Sequence, residues 1–149
     1  MAAIKHFRQL EAWQEAHRLV LMVYKATQKF PADERFGLVA QMRRAVVSIA
    51  ANIAEGFKRL GIRDKIRFYN ISEGSLEELK YYFLLSKDLA YISSDAHASL
   101  MAQAESVGRL LHGLVASTER RKEQSPASKP IESAVPETLD SSTPPTPTP

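Results

Sequence analysis

The chain has no cysteine. That excludes a disulfide framework and any thiolate-bound metal, and it accords with a reducing compartment. Proline is nearly missing from most of it: of eight prolines, only Pro31 precedes residue 126. A stretch so poor in proline leaves long helices unbroken. Long apolar runs are missing too. The longest charge-free segment, residues 45–54, is about half of the roughly 20 residues that a membrane-spanning helix needs. The opening Met1-Ala-Ala-Ile-Lys-His-Phe-Arg has no apolar run after a basic start, so no secretory signal is expected. These absences together predict a cytoplasmic protein with no part in a membrane.

Recognisable chemistry is absent in the same way. Helical bundles that hold two metal ions use Glu-x-x-His pairs, and no such pair occurs. His6, His17, His97 and His112 are far apart in the sequence. His17 reads as a core or interface histidine and His112 as a surface or interface residue. There is no glycine-rich phosphate loop and no Gly-x-Ser-x-Gly. Glu77 and Glu78 are adjacent, and neighbours on a helix point about 100° apart, so they form no acid–base pair. The expectation is a protein without metal, cofactor or catalytic residues, and therefore not an enzyme.

What is present is helical periodicity. The 149 residues suffice for one domain. In the first helical segment Leu10, Trp13, His17, Val20, Tyr24 and Thr27 step by three and four, beside a second row of Ala12, Ala16, Leu19, Val23 and Ala26. A second segment, from about 38 to 59, carries Leu38, Met42, Ala45, Ile49, Ile53 and Gly56 as its main stripe. Val39, Val46, Val47, Ala50 and Ala54 make its middle apolar nearly all round. Such a helix is buried on more than one side, which a subunit interface would explain.

A third segment opens near Arg63 or Asp64. Phe68, Ser72, Ser75, Leu79, Tyr82, Ser86 and Leu89 form one row, and Tyr69, Leu76, Phe83 and Ala90 its neighbour. Gly74 sits mid-helix, where it costs about 1 kcal/mol relative to alanine, and predicts a close helix approach beside Ser75. Ser93 or Ser94 then caps a fourth segment with Leu100, Ala104, Val107, Leu111, Leu114 and Thr118 on one face, ending near Arg120-Arg-Lys122. The fold class is all-α: an antiparallel up-down-up-down four-helix bundle over residues 1–122. Residues 123–149 read as a disordered tail rich in Pro, Ser and Thr. Its PxxP spacing at Pro144-Pro-Thr-Pro147 is a weak signal.

Two groups of polar residues stand out. Asn52 and Glu55 lie one turn apart in the most apolar part of the second helix. With Ser72 they suggest a structural polar network, the other reading being a ligand contact. Lys58, Arg59, Arg63, Lys65 and Arg67 form a basic corner. Cations in the first turns of the third helix oppose its dipole, so phosphate is a candidate reason for them, against a plain solvated corner. Arg43, Arg44 and the 120–122 cluster are weaker candidates. Net charge is +3 overall but +6 over residues 1–122, which permits an anionic partner.

Several motifs carry a resemblance. They are Phe7-Arg-Gln-Leu-Glu-Ala-Trp13, Phe30-Pro31, Gly37-Leu38, Gln41-Met-Arg-Arg-Ala45, Ser48-Ile-Ala-Ala-Asn-Ile-Ala-Glu-Gly-Phe57, Arg67-Phe68, Gly74-Ser-Leu-Glu-Glu-Leu79 and Leu89-Ala-Tyr-Ile92. Together they resemble the four-helix-bundle proteins encoded in intervening sequences of large-subunit ribosomal RNA genes. The resemblance covers nearly all of 1–122 and none of the tail. It implies a homo-oligomer, a pentameric ring. It also implies a fold similar to the accessory variability proteins of diversity-generating retroelements, which bind a reverse transcriptase and its template RNA. The family often has a proline near Ala50 and glycines at the positions of Lys58 and Ala90, which this chain lacks. The expected function is non-enzymatic binding of nucleic acid, RNA rather than DNA, or of a ribonucleoprotein. The alternative is a protein-only scaffold that docks a partner enzyme.

Overall fold

The computed structural model describes residues 3–124; the sequence reading of a disordered tail beyond them lies outside the described residues. Four α-helices account for most of it: α1 (Glu11–Thr27), α2 (Leu38–Lys58), α3 (Ile62–Asp88) and α4 (Ser94–Glu123). Short 3-10 turns at Phe7–Gln9 and Ala32–Glu34 precede α1 and α2. α1 packs on α2, α2 on α3, α3 on α4 and α4 back on α1. The short connections make these neighbours antiparallel, which is the up-down-up-down bundle expected from the periodicity.

Local chemistry sets the helix ends. Ser93 Oγ accepts a hydrogen bond from the Ala96 amide at 3.0 Å and so caps α4. Glu34 caps α2 from outside, accepting from the Leu38 amide at 3.0 Å, where a carboxylate suits the helix dipole. At the end of α3 the Tyr91 amide bonds the Ser86 carbonyl and the Ala90 amide bonds the Lys87 carbonyl, both at 2.9 Å. That pair of bonds is a Schellman motif. It forces Ala90 to a φ of 60°, the left-handed region where glycine is the usual occupant.

The core runs the length of the bundle. Leu19, Val23, Met42, Val46, Ile49, Ile53, Leu79, Phe83, Val107 and Leu111 are fully buried. The predicted stripe of α2 is buried throughout. In α1 the second predicted row supplies most of the core face, and the first is buried only at its ends, Leu10 and Thr27. Ala12, Ala16, Leu19 and Val23 face the core, whereas Trp13 and Val20 are half-buried and His17 and Tyr24 are exposed. The small alanines let α1 approach its neighbours closely, which leaves the bulkier row to spread over the groove outside.

Close approach occurs at Gly56 rather than at Gly74. A Cβ on Gly56 would lie 2.7 Å from Cε1 of the buried Tyr69, while one on Gly74 would meet nothing within 4 Å. Buried hydroxyls are satisfied by backbone carbonyls: Ser72 donates across to Ile49 of α2 at 2.9 Å and Thr118 to Leu114 of its own helix at 2.7 Å. Among the described residues no buried side-chain nitrogen or oxygen lacks a partner. Nor is any helix among them long and apolar enough to cross a membrane.

Candidate nucleic-acid interface

The five cations of the basic corner lie at one end of the bundle, where α2 finishes and α3 begins, but they do not share one role. Arg59 pairs with Glu55 at 2.6 Å and lays its guanidinium 4.7 Å from the centre of the Phe68 ring. Arg67 lies 4.8 Å from the same ring and reaches Asp64 at 3.6 Å. Phe68 thus orders two guanidiniums through its ring electrons. Each stays about half exposed, so its free N–H groups remain available to an anion. Lys58 and Arg63 are exposed and make no ion pair among the described residues.

Lys65 differs. Its ammonium donates to the Phe57 carbonyl at 2.5 Å and the Gly56 carbonyl at 3.3 Å, closing the C-terminus of α2. This explains a cation in the first turn of α3: it serves the negative end of the preceding helix. Burial, and then the like charge of Arg121, hold the Lys65 ammonium below the usual lysine range. That charge is felt because α4 runs back along α3 and ends at this corner. Sequence reading kept 58–67 apart from 120–122; the antiparallel topology brings them to one end.

Arg43 and Arg44 do not join them. They lie about four turns back along α2, roughly 20 Å by helical rise. Arg43 closes α1 more loosely than Lys65 closes α2: Nη2 donates to the Tyr24 carbonyl at 3.5 Å, Nε to Thr27 Oγ1 at 3.0 Å, and the guanidinium sits 4.5 Å from the Tyr24 ring centre. Arg44 is exposed and acts on the Tyr82 hydroxyl. That hydroxyl is pushed above the usual tyrosine range, first by its hydrogen bond to Glu78 and then by burial.

The polar network forms with other members. Asn52 Nδ2 donates to the Ser48 carbonyl at 2.8 Å and to Ser48 Oγ at 3.0 Å, and Ser48 Oγ meets Ser75 Oγ at 2.9 Å. Ser72 stands apart on the Ile49 carbonyl. Glu55 is exposed and belongs to the corner through Arg59, because its position on α2 faces solvent rather than α3. Among the described residues no group of three or more His, Asp or Glu is placed to hold a metal ion.

A second surface lies along α1 and α2. His6, Phe7, Trp13 and His17 form a continuous aromatic ladder, with Trp13 and His17 stacked at 5.0 Å and 6°. Phe7, Trp13 and His17 border an apolar groove of about 260 Å³ floored by Val20, Val47, Ala50, Ala51 and Ala54. Val47 is 42% exposed there. The all-round apolar middle of α2 therefore has a core side and an uncovered side.

Fold and geometry together define an all-α four-helix bundle with a cationic end. The chain belongs to the 23S rRNA-intervening sequence protein family, whose model matches residues 8–113. It is similar in fold to the crystal structure, at 1.70 Å, of a protein of unknown function from the S23 ribosomal protein family of Bacteroides thetaiotaomicron VPI-5482. The TM-score is 0.65 at 20% identity, over 70% of this chain and 94% of that one. No curated protein matches the sequence.

Proposed function

We propose that this is a non-enzymatic, cytoplasmic, oligomeric protein that binds nucleic acid through the cationic end of its bundle. It would serve as an accessory to a reverse transcriptase or to an rRNA intervening sequence. One observation carries the reading: Lys58, Arg59, Arg63 and Arg67 converge with Arg121 at one end, and among the described residues only Glu55 and Asp64 pair with them. Such a cluster neutralises phosphates and gives affinity rather than sequence reading. The family's description ties it to 23S rRNA, which puts RNA ahead of DNA as the nucleic acid to test.

The uncovered side of α2 supports self-association, and the resemblance implies a pentamer. A ring would repeat the cationic end in each copy, and repeated contacts multiply apparent affinity. The same apolar groove favours a second reading, a protein-only scaffold that docks a partner enzyme.

The test is binding of a structured RNA across a salt series by the full chain and by a variant with Lys58, Arg63 and Arg67 changed to Ala. The expected result is micromolar or tighter binding at near-physiological salt, with a steep slope of log affinity on log salt. Each lost phosphate contact lowers that slope by about 0.7 to 0.9. An unaltered slope in the variant retires the corner, and salt-insensitive capture of a protein partner supports the scaffold.

A further inference from the structure

Leu60 forms the tip of the turn between α2 and α3 and is 99% exposed. Turn tips usually carry Gly, Asn, Asp or Ser, and the Leu60 side chain buries nothing in the bundle. The tip is firmly based. Arg59 before it is fixed by Glu55 and Phe68, and Lys65 one turn into α3 is fixed to the last carbonyls of α2. Beside Leu60 lies a depression of about 430 Å³ lined by Lys58, Arg59, Gly61, Glu55 and Asp64.

We propose that Leu60 is a wedge that recognises an unpaired nucleotide in structured RNA, such as a bulge. The proposal rests on the RNA-binding reading above and assigns its target. An apolar side chain inserted at a base step replaces lost stacking. The flanking Lys58, Arg59 and Arg63 hold the phosphates on either side. The displaced base takes the depression, where the Glu55 and Asp64 carboxylates accept from its exocyclic amino group. Phe36, at the opposite end, is also 87% exposed, but it follows Asp33 and Glu34 and shares its turn with one cation, Arg35. It is an internal control: an exposed apolar tip in surroundings that repel phosphate.

The experiment uses the full chain and two RNA hairpins with the same stem, one perfectly paired and one with a single-adenine bulge, the bulged base being replaced by 2-aminopurine for a fluorescence readout. Wild type is expected to bind the bulged hairpin about tenfold more tightly, the scale set by burying one leucine, and to brighten the 2-aminopurine. Leu60→Ser should lose the preference and the brightening while keeping wild-type affinity and salt slope on the paired hairpin. Phe36→Ser should change neither. An unchanged preference in Leu60→Ser, or no preference in wild type that still binds both hairpins, overturns the wedge and leaves the phosphate-binding corner standing. Failure of wild type to bind either hairpin removes both readings. Phosphatidylserine vesicles bound by wild type and lost in Leu60→Ser, in that absence of RNA binding, would assign Leu60 to a membrane surface instead.

Discussion

Ala90 occupies a backbone conformation that a Cβ makes costly and that glycine usually fills. Left-handed backbone at a non-glycine residue costs about 1–2 kcal/mol, part of which glycine returns through a freer unfolded chain. Ala90→Gly is therefore expected to stabilise the bundle by about 1 kcal/mol and raise its thermal midpoint by a few degrees, as calorimetry would show. Gly56 makes the opposite case. Any Cβ there strikes Tyr69, which is 2% exposed and has no room to withdraw. Gly56→Ala should cost about 1–3 kcal/mol by overpacking, read as a lower urea midpoint. The sequence identifies both positions as notable, but not their reasons. Gly56 appears in the Asn-Ile-Ala-Glu-Gly motif, yet the contact that requires it comes from α3. Gly74 looked equally constrained and is open, so glycine on a helix marks a close approach only when a neighbour is there.

At the scale of elements, α2 was legible because its apolar stripe is long, regular and opposed by few competing residues. α1 was less so. Its two adjacent rows carry similar apolar character, and period alone gives a direction to within one row. Side-chain volume decides between them: alanines admit a neighbouring helix, and Trp13, His17 and Tyr24 do not. The basic corner was legible for a simple reason, since its members are close in sequence. The distinct role of Lys65 was not, because it depends on where the Phe57 carbonyl points. That difference is measurable. Lys65→Ala should destabilise the fold by about 1 kcal/mol through the uncapped carbonyls while leaving the salt slope of RNA binding unchanged. Arg63→Ala should do the reverse, lowering the slope with the thermal midpoint intact.

For the whole molecule, the decisive feature is that α2 has one apolar side inside the bundle and another outside it. Ile53 is fully buried and Val47 is 42% exposed, on the same helix less than two turns apart. Ile53→Asp is expected to unfold the protein. On the proposed self-association, Val47→Asp is expected to keep its helicity by circular dichroism and to have the mass of a single bundle by light scattering. Loss of helicity in Val47→Asp would place that residue in the fold rather than the assembly. Arg121 was separated from the corner in the sequence because only topology joins residues so distant along the chain. The capping side chains carry one more consequence. Arg43 of α2 closes α1, and Lys65 of α3 closes α2. α1 and α2 are thus each finished by the helix made after them, whereas α3 closes on its own Schellman turn. A nascent chain leaving the ribosome would keep α1, and then α2, open at its trailing end until the following segment emerged. Folding of the first two helices would then run one helix behind synthesis.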